Sequence, residues 1–253
     1  MKWYYILLIV SLAIIIFLTL SILLYRKVFK RIYDIVLSLI AIIILSPFFL
    51  IFTPINAIAM KGNPFFCQYR PGKKNKNGKC KIFKLIKYRS MTNEKDKNGN
   101  LLPDDKRLTK FGKFLRSTSL DELPELFNIF IGDMSIVGPR PQLIKDMAFF
   151  SDNVMHRQDI RPGLTGLAQV NGRNSITWEE KFNFDLNYVS NYNLFLDIKI
   201  ILKTILKVFK RSDINRDGTV SDIDYGDWLL KENQIAKYEY EEKQKEAKEL
   251  LRG

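Results

Sequence analysis

The sequence predicts a mostly helical α+β protein whose N-terminal quarter holds it to a membrane. Three observations carry this. Residues 1–60 are almost all apolar, whereas residues 61–253 are polar, charged and of one-domain size. The apolar part contains runs as long as membrane helices. The polar part has a strand-like stretch near residues 79–91 among several stretches of helical period.

The chain has 253 residues, a formal charge of +13 and a hydrophobic fraction of 47%. A basic protein with an apolar start expects an anionic partner: membrane lipid, nucleotide or nucleic acid. Cys67 and Cys80 form neither a disulfide framework nor a metal-ligand spacing, and fit a reducing cytosol. His156 is the only histidine, which excludes a His-rich metal site and most Ser-His-Asp schemes. It reads as an incidental surface residue.

Trp3 to Leu24 is an unbroken apolar run, long enough to span a bilayer. A signal peptide is the alternative. The run is too long for an h-region and no small-x-small site follows, so a retained anchor over 1–28 is expected. Ile32 to Met60 is a second apolar run, with Asp34 near its start and Ser46-Pro47 in its middle. Basic residues lie on both flanks: Arg26, Lys27, Lys30 and Arg31 before it, Lys61, Arg70, Lys73, Lys74 and Lys76 after it. Basic residues collect on the cytoplasmic side, and two spanning helices would separate these groups. Pro47 removes a backbone hydrogen bond and clashes with the Ile43 carbonyl. A helix ending at Ser46 is roughly 22 Å long, short of the ~30 Å core. The expectation for 29–60 is therefore a re-entrant helix kinked at Ser46 and Pro47, with Ser46 helping to satisfy the freed backbone. A kinked spanning helix is the alternative.

Asn63 to Lys73 has the turn residues of a short hairpin or loop. Lys79 to Met91 reads as a strand leading to Lys87-Tyr-Arg-Ser-Met91, either a diphosphate-facing pair in Lys87 and Arg89 or a solvated basic strand. Residues 94–106 are a polar loop whose acids fit no metal-binding spacing. Arg107 to Arg116 is amphipathic, and Arg116 could hold a phosphate oxygen in the forked geometry that guanidinium suits.

Ser117, Thr118 and Ser119 precede adjacent carboxylates, Asp121 and Glu122. Leu123, Leu126, Phe127 and Phe130 follow at helical spacing. Pro124 is tolerated only in a first turn, so a helix should start near Leu120 or Asp121 and favour anions there. Ser119-x-x-Glu122 also reads as a capping box, which would make the acids helix punctuation. Gly138-Pro-Arg140-Pro is a rigid turn. Residues 142–160 read as a helix ending near His156. In Arg161-Pro-Gly-Leu-Thr-Gly-Leu-Ala-Gln169-Val-Asn171-Gly-Arg173-Asn, three glycines would let backbone N–H groups approach a phosphate.

Trp178 to Tyr192 reads as a helix. So does Leu194 to Arg211, whose basic stripe suits either an anionic membrane surface or a core-packed helix with a solvated face. Asp213 to Asp224 has EF-hand-like spacing, but ends in Asp where Glu is expected and lacks a partner loop. Residues 212–253 are expected as a charged C-terminal tail, with residues 229–253 either a frayed helix or a tail.

Several of these stretches together resemble the monotopic phosphoglycosyl transferases, the bacterial sugar transferases that load a sugar phosphate onto a polyprenyl phosphate. The resemblance runs from about Lys30 to about Arg211. It rests on Lys30-Arg-Ile-Tyr-Asp34 before the Ser-Pro kink, Lys87 to Met91 (Tyr88 being a departure), Asp121-Glu-Leu-Pro124, Gly132 to Pro141, and Arg161 to Arg173. The span at 3–24 departs from the smallest members and would be an added anchor. The resemblance implies a small cytoplasmic catalytic domain over 61–211 with amphipathic interfacial helices, on the bacterial inner membrane. It implies a UDP-sugar donor, a polyprenyl phosphate acceptor, UMP release and Mg²⁺. Asp121 would be the nucleophile and a metal ligand, and Glu122 a second metal ligand or a general base for the second half of the reaction. Lys87, Arg89, Arg116, Arg140, Arg161, Gln169, Asn171 and Arg173 would bind substrate. Nucleic acid is not expected as a partner. The rival class is a membrane-anchored basic module for nucleic acid or protein. The sugar, the pathway and the oligomeric state stay open.

Overall fold

The structure, a computed structural model, describes residues 3–172, 176–210 and 223–250. Helix α1 (Trp3–Leu23) passes through a π-helical turn (Tyr25–Phe29) into α2 (Lys30–Ala59). Nearly every side chain of α1 is exposed, as in a helix meant for lipid rather than a protein core. The expected end of the second helix at Ser46 is not found. Helix α2 continues through both Pro47 and Pro54. At Pro47 the continuation has local support. Pro47 has no N–H for the Ile43 carbonyl, and the Ser46 hydroxyl donates to that carbonyl instead, at 2.8 Å. Ser46→Ala should therefore cost about 1 kcal/mol, read as a lower Tm in detergent.

Helix α2 is docked on the polar part of the chain at both ends. At its start Lys30 donates to Asp197 (2.6 Å) and to the Val137 carbonyl (2.9 Å). Arg31 donates to the carbonyls of Ile129 and Phe130, and Asp34 accepts from Ser135 and the Ile136 N–H. Near its end Thr53 shares a hydrogen bond with Tyr88 (2.9 Å), and Asn56 donates to the Pro64 carbonyl (2.6 Å). The charges that interrupt the apolar run are thus partners of the polar domain.

Strands β1 (Phe65–Lys74) and β2 (Cys80–Tyr88) form an antiparallel hairpin. Four further elements follow: α3 (Asp104–Arg107), α4 (Lys110–Ser117), a 3₁₀ turn (Leu120–Glu122) and α5 (Glu125–Ile131). Phe83 and Leu85 of the hairpin pack with Leu126, Ile129 and Met134, and against Ile42, Leu45 and Phe49 of α2. Strand β3 (Ser135–Val137) pairs in parallel with β4 (Gly163–Thr165). Between them lie α6 (Ile144–Met147) and a 3₁₀ helix (Val154–Asp159), where the sequence suggested one longer helix. Helices α7 (Leu167–Asn171), α8 (Trp178–Asn191) and α9 (Leu194–Lys210) come next, α8 opening on a Thr177–Glu180 capping box. A second core joins Val137, Ile160, Val170, Tyr188 and Ile200. Helix α9 buries Ile200 but leaves Phe195, Ile198, Leu202, Ile205 and Leu206 exposed.

The described part of the C-terminal segment is helical. Helices α10 (Tyr225–Lys231) and α11 (Lys237–Leu250) fold back on the domain, with α11 meeting α6. Aromatic residues within the charged background supply the packing: Tyr225 meets Trp178, Phe182 and Phe150, and Tyr240 meets Phe149. Apart from Asp224, the EF-hand-like positions lie outside the described residues.

Candidate active site

The dyad sits between two helices rather than inside one. After α4 the backbone turns through a left-handed conformation at Ser119 (φ 56°), and the 3₁₀ turn carries Asp121 and Glu122. Pro124 caps α5, so the α-helix starts at Glu125, later than its spacing suggested. The Ser119 side chain caps nothing, and the capping-box reading fails. The Glu122 carboxylate is used elsewhere: its Oε1 accepts from Lys87 Nζ (2.8 Å) and Arg140 Nη2 (2.5 Å).

These side chains face a cavity of about 610 Å³. Strand β2 supplies Lys87, with Arg89 just beyond it; α4 supplies Arg116, and the turn after β3 supplies Arg140. Arg116 Nε is fixed by the Ser90 hydroxyl at 2.9 Å. Gly112 explains this closeness, because a Cβ there would lie 1.8 Å from the Ser90 carbonyl oxygen. Gln169 also lines the cavity, and both polar atoms of its buried amide lack a protein partner.

The other expected binding residues lie apart. Arg161 Nε donates to the Gly132 carbonyl (2.8 Å) and closes the end of α5. Asn171 donates to the Leu167 carbonyl, one turn back in its own helix. Neither lines the cavity. Arg173 is outside the described residues. The glycines expected to cradle a phosphate have another task. A Cβ on Gly163 would lie 2.1 Å from the Gly138 nitrogen, and one on Gly166 would lie 2.2 Å from the Gly138 oxygen. They let two backbones touch, which holds the Arg140 turn in place.

Among the wall residues to which the sequence assigns no functional role are Arg70, Glu125, Asp146 and Asp185. Glu125 follows the dyad motif by one residue and meets Lys87 at 3.0 Å. Only the folded hairpin brings Arg70 here.

Burial governs the electrostatics. It pushes Asp121 up to about 6, and the Glu122 charge adds to this against the pull of Lys87 and Arg116. Burial likewise lifts Glu125 to about 6. It works to lower Lys87, but Glu122 and Glu125 outweigh it and the ammonium is held above its ordinary range. The Glu122 carboxylate raises Arg140.

A second cavity, about 370 Å³, adjoins the first. Its wall is apolar, with Leu123, Leu126, Ile136, Leu164, Ile201 and Ile205. Glu122, Arg140 and Gln169 line both cavities. Among the described residues no group of three or more His, Cys, Asp or Glu is placed to hold a metal ion. The adjacent carboxylates suit a hard cation that keeps water and phosphate ligands, as Mg²⁺ does.

Residues 25–211 match the bacterial sugar transferase family. The chain belongs to that family and is an enzyme of the phosphoglycosyl transferase class. It is 40% identical over 194 residues to the uncharacterized sugar transferase EpsL of Bacillus subtilis, covering 77% of this chain and 94% of that one. It is 40% identical to a UDP-glucose:undecaprenyl-phosphate glucose-1-phosphate transferase of Klebsiella pneumoniae, covering 73% of this chain and 41% of that protein. An undecaprenyl-phosphate galactose phosphotransferase of Salmonella typhimurium is 37% identical, over 72% of this chain and 40% of its own length. The match thus spans about two fifths of the Klebsiella and Salmonella proteins.

Proposed function

We propose that this chain transfers a sugar 1-phosphate from a UDP-sugar to a polyprenyl phosphate, releasing UMP, as the first membrane step of a bacterial glycan pathway. One observation carries the reading: a polar, cation-lined cavity and an apolar cavity share a wall that contains Glu122 of the dyad. A water-soluble donor would meet both carboxylates in the first cavity, and a lipid acceptor would approach from the second, where Glu122 is exposed to it.

In this reading Lys87, Arg89, Arg116 and Arg140 hold the diphosphate. An Asp121 oxygen attacks the phosphorus bonded to the sugar; the bond to UMP breaks, and UMP leaves with the electron pair. The phosphosugar stays on the carboxylate. A phosphate oxygen of the acceptor then attacks that phosphorus, and Asp121 leaves as a carboxylate. Lys87 and Arg140 pair with Glu122 and orient it beside the reacting groups. Asp121 and Glu122 would hold Mg²⁺, which when bound neutralises diphosphate charge.

The membrane arrangement fits a lipid acceptor. A 30-residue helix is roughly 45 Å long, enough to separate Lys30 and Asn56 across a bilayer, yet both bond to the same domain. We read α2 as lodged in one leaflet with the domain on the cytoplasmic face. Helix α9 would lie along that surface through its exposed apolar residues. A basic module for nucleic acid or protein would require no carboxylate pair in a cation-lined cavity. An enzyme moving the sugar alone would release UDP.

The test is nucleotide release by solubilised protein given UDP-sugars and Mg²⁺, with and without polyprenyl phosphate. UMP release supports the reading, and a stoichiometric burst without lipid supports the covalent step. UDP release overturns it. A pH dependence follows from Asp121, which attacks only as the carboxylate, so kcat/KM should fall as pH drops through about 6. Stability should move the opposite way. A carboxyl raised on folding favours the protonated protein, so this group's contribution is lost as pH rises from about 4 towards about 6.

A further inference from the structure

The family match ends at residue 211, yet the chain beyond it reaches the donor cavity. Ile223 and Asp224 are part of its wall. The segment is fixed there. Lys145 pairs with Asp224, and the Tyr225 N–H donates to Asp146 Oδ1 at 2.8 Å. Gly226 presses on the Phe149 ring, where a Cβ would lie 2.5 Å from the ring edge. Lys243 of α11 donates to the Ala148 carbonyl.

This part of the wall differs from the cationic part around the dyad. It holds Asp146, Asp185 and Asp224 with the indole of Trp178. Asp185 is 2% exposed. Arg157 Nε and Nη2 both bind its Oδ2, each at 2.8 Å, while Oδ1 has no protein partner. A buried acceptor without a donor is costly, and it lines a cavity. Carboxylates repel a phosphate but accept hydrogen bonds from neighbouring hydroxyls. The Trp178 indole, 7% exposed with Lys181 over its ring and Tyr225 against it, adds only a small apolar surface to this wall.

We infer that Asp146, Asp185, Asp224 and Trp178 form a subsite for a sugar ring of the nucleotide-sugar, completed by the C-terminal segment. The inference rests on the proposed reaction and names what that cavity recognises besides phosphate. The ring is either the transferred hexose or the ribose of the nucleotide; both present adjacent hydroxyls.

The test measures donor binding by calorimetry in an Asp121→Asn background, where no turnover occurs. Asp224→Asn and Asp146→Asn are compared with Lys145→Gln, which breaks the same ion pair but keeps both carboxylates. The probes are a panel of UDP-hexoses differing at single hydroxyls, UMP, and a 2′-deoxyuridine donor. The subsite predicts that the aspartate variants lose roughly tenfold in affinity, the size of a lost charged hydrogen bond. It also predicts that Lys145→Gln loses less. If the ring is the hexose, discrimination among UDP-hexoses shrinks and UMP binding is kept. If it is the ribose, UMP and all donors weaken together and discrimination against the deoxy donor is lost. Equal losses in all three variants, or unchanged affinities, overturn the subsite. Wild-type UMP release alongside such a result would leave the proposed reaction standing. Failure to release UMP from any donor would instead overturn the reaction, and the subsite with it.

Discussion

Asp121→Asn is expected to lower UMP release by about 10⁴-fold or more, the scale of loss when a covalent nucleophile is removed. The amide cannot attack phosphorus, while its shape preserves the contacts of the turn. The fold should not suffer. Asp121 is raised to about 6 because burial and Glu122 disfavour its charge. A neutral amide removes that repulsion, so the variant should be at least as heat-stable as the native protein at neutral pH. This pair of readouts separates chemistry from structure. A variant that is inactive because it is unfolded would show a lower Tm, and a fully active variant would reduce the dyad to turn-forming residues. Glu122→Gln should behave differently, because it also leaves Lys87 and Arg140 without their shared carboxylate oxygen.

The second large effect lies away from the cavity. Asp197→Ala should destabilise the protein by about 3–5 kcal/mol, the range for removing one partner of a buried ion pair. Asp197 is 4% exposed, and its oxygens accept from Lys30, Tyr25 and Tyr188, each at 2.6 Å. Removing it leaves the buried Lys30 ammonium without its counter-charge and takes an acceptor from both phenols. Thermal unfolding in detergent reads the loss directly. Lys30→Met combined with Asp197→Leu should cost much less than the sum of the single changes, since no unpaired charge remains. A loss under about 1 kcal/mol for Asp197→Ala would mean that water replaces the carboxylate and the cluster is not a joint.

The sequence made local features legible. Helical period located α8 and α9, and β-character located the second strand of the hairpin. The dyad, Lys87, Arg89, Arg116, Arg140 and Gln169 were found because each lies in a distinctive short motif, and the fold brings them to one cavity. Long-range placement was not legible. Arg70 and Asp146 enter the wall only through tertiary packing, which no spacing encodes. Glycine is ambiguous for a physical reason: freedom to approach a phosphate and freedom to approach another backbone look alike in sequence, and here Gly138 fills the space. Proline is ambiguous in the same way: it can end a helix or be carried within one, and α2 runs on through Pro47, where the Ser46 hydroxyl serves the orphaned Ile43 carbonyl, and through Pro54.

The contacts of Arg31 have a practical consequence. This residue of α2 holds the last carbonyls of α5, whose first turn adjoins the dyad. With α2 in the bilayer, as proposed above, the membrane would help set the geometry of the dyad. Amphiphiles that let α2 tilt or slide would transmit the displacement through one guanidinium to the reacting carboxylates. Specific activity should then vary with the acyl length of the solubilising medium at constant fold, and nanodiscs of native thickness would be the reference state for kinetics.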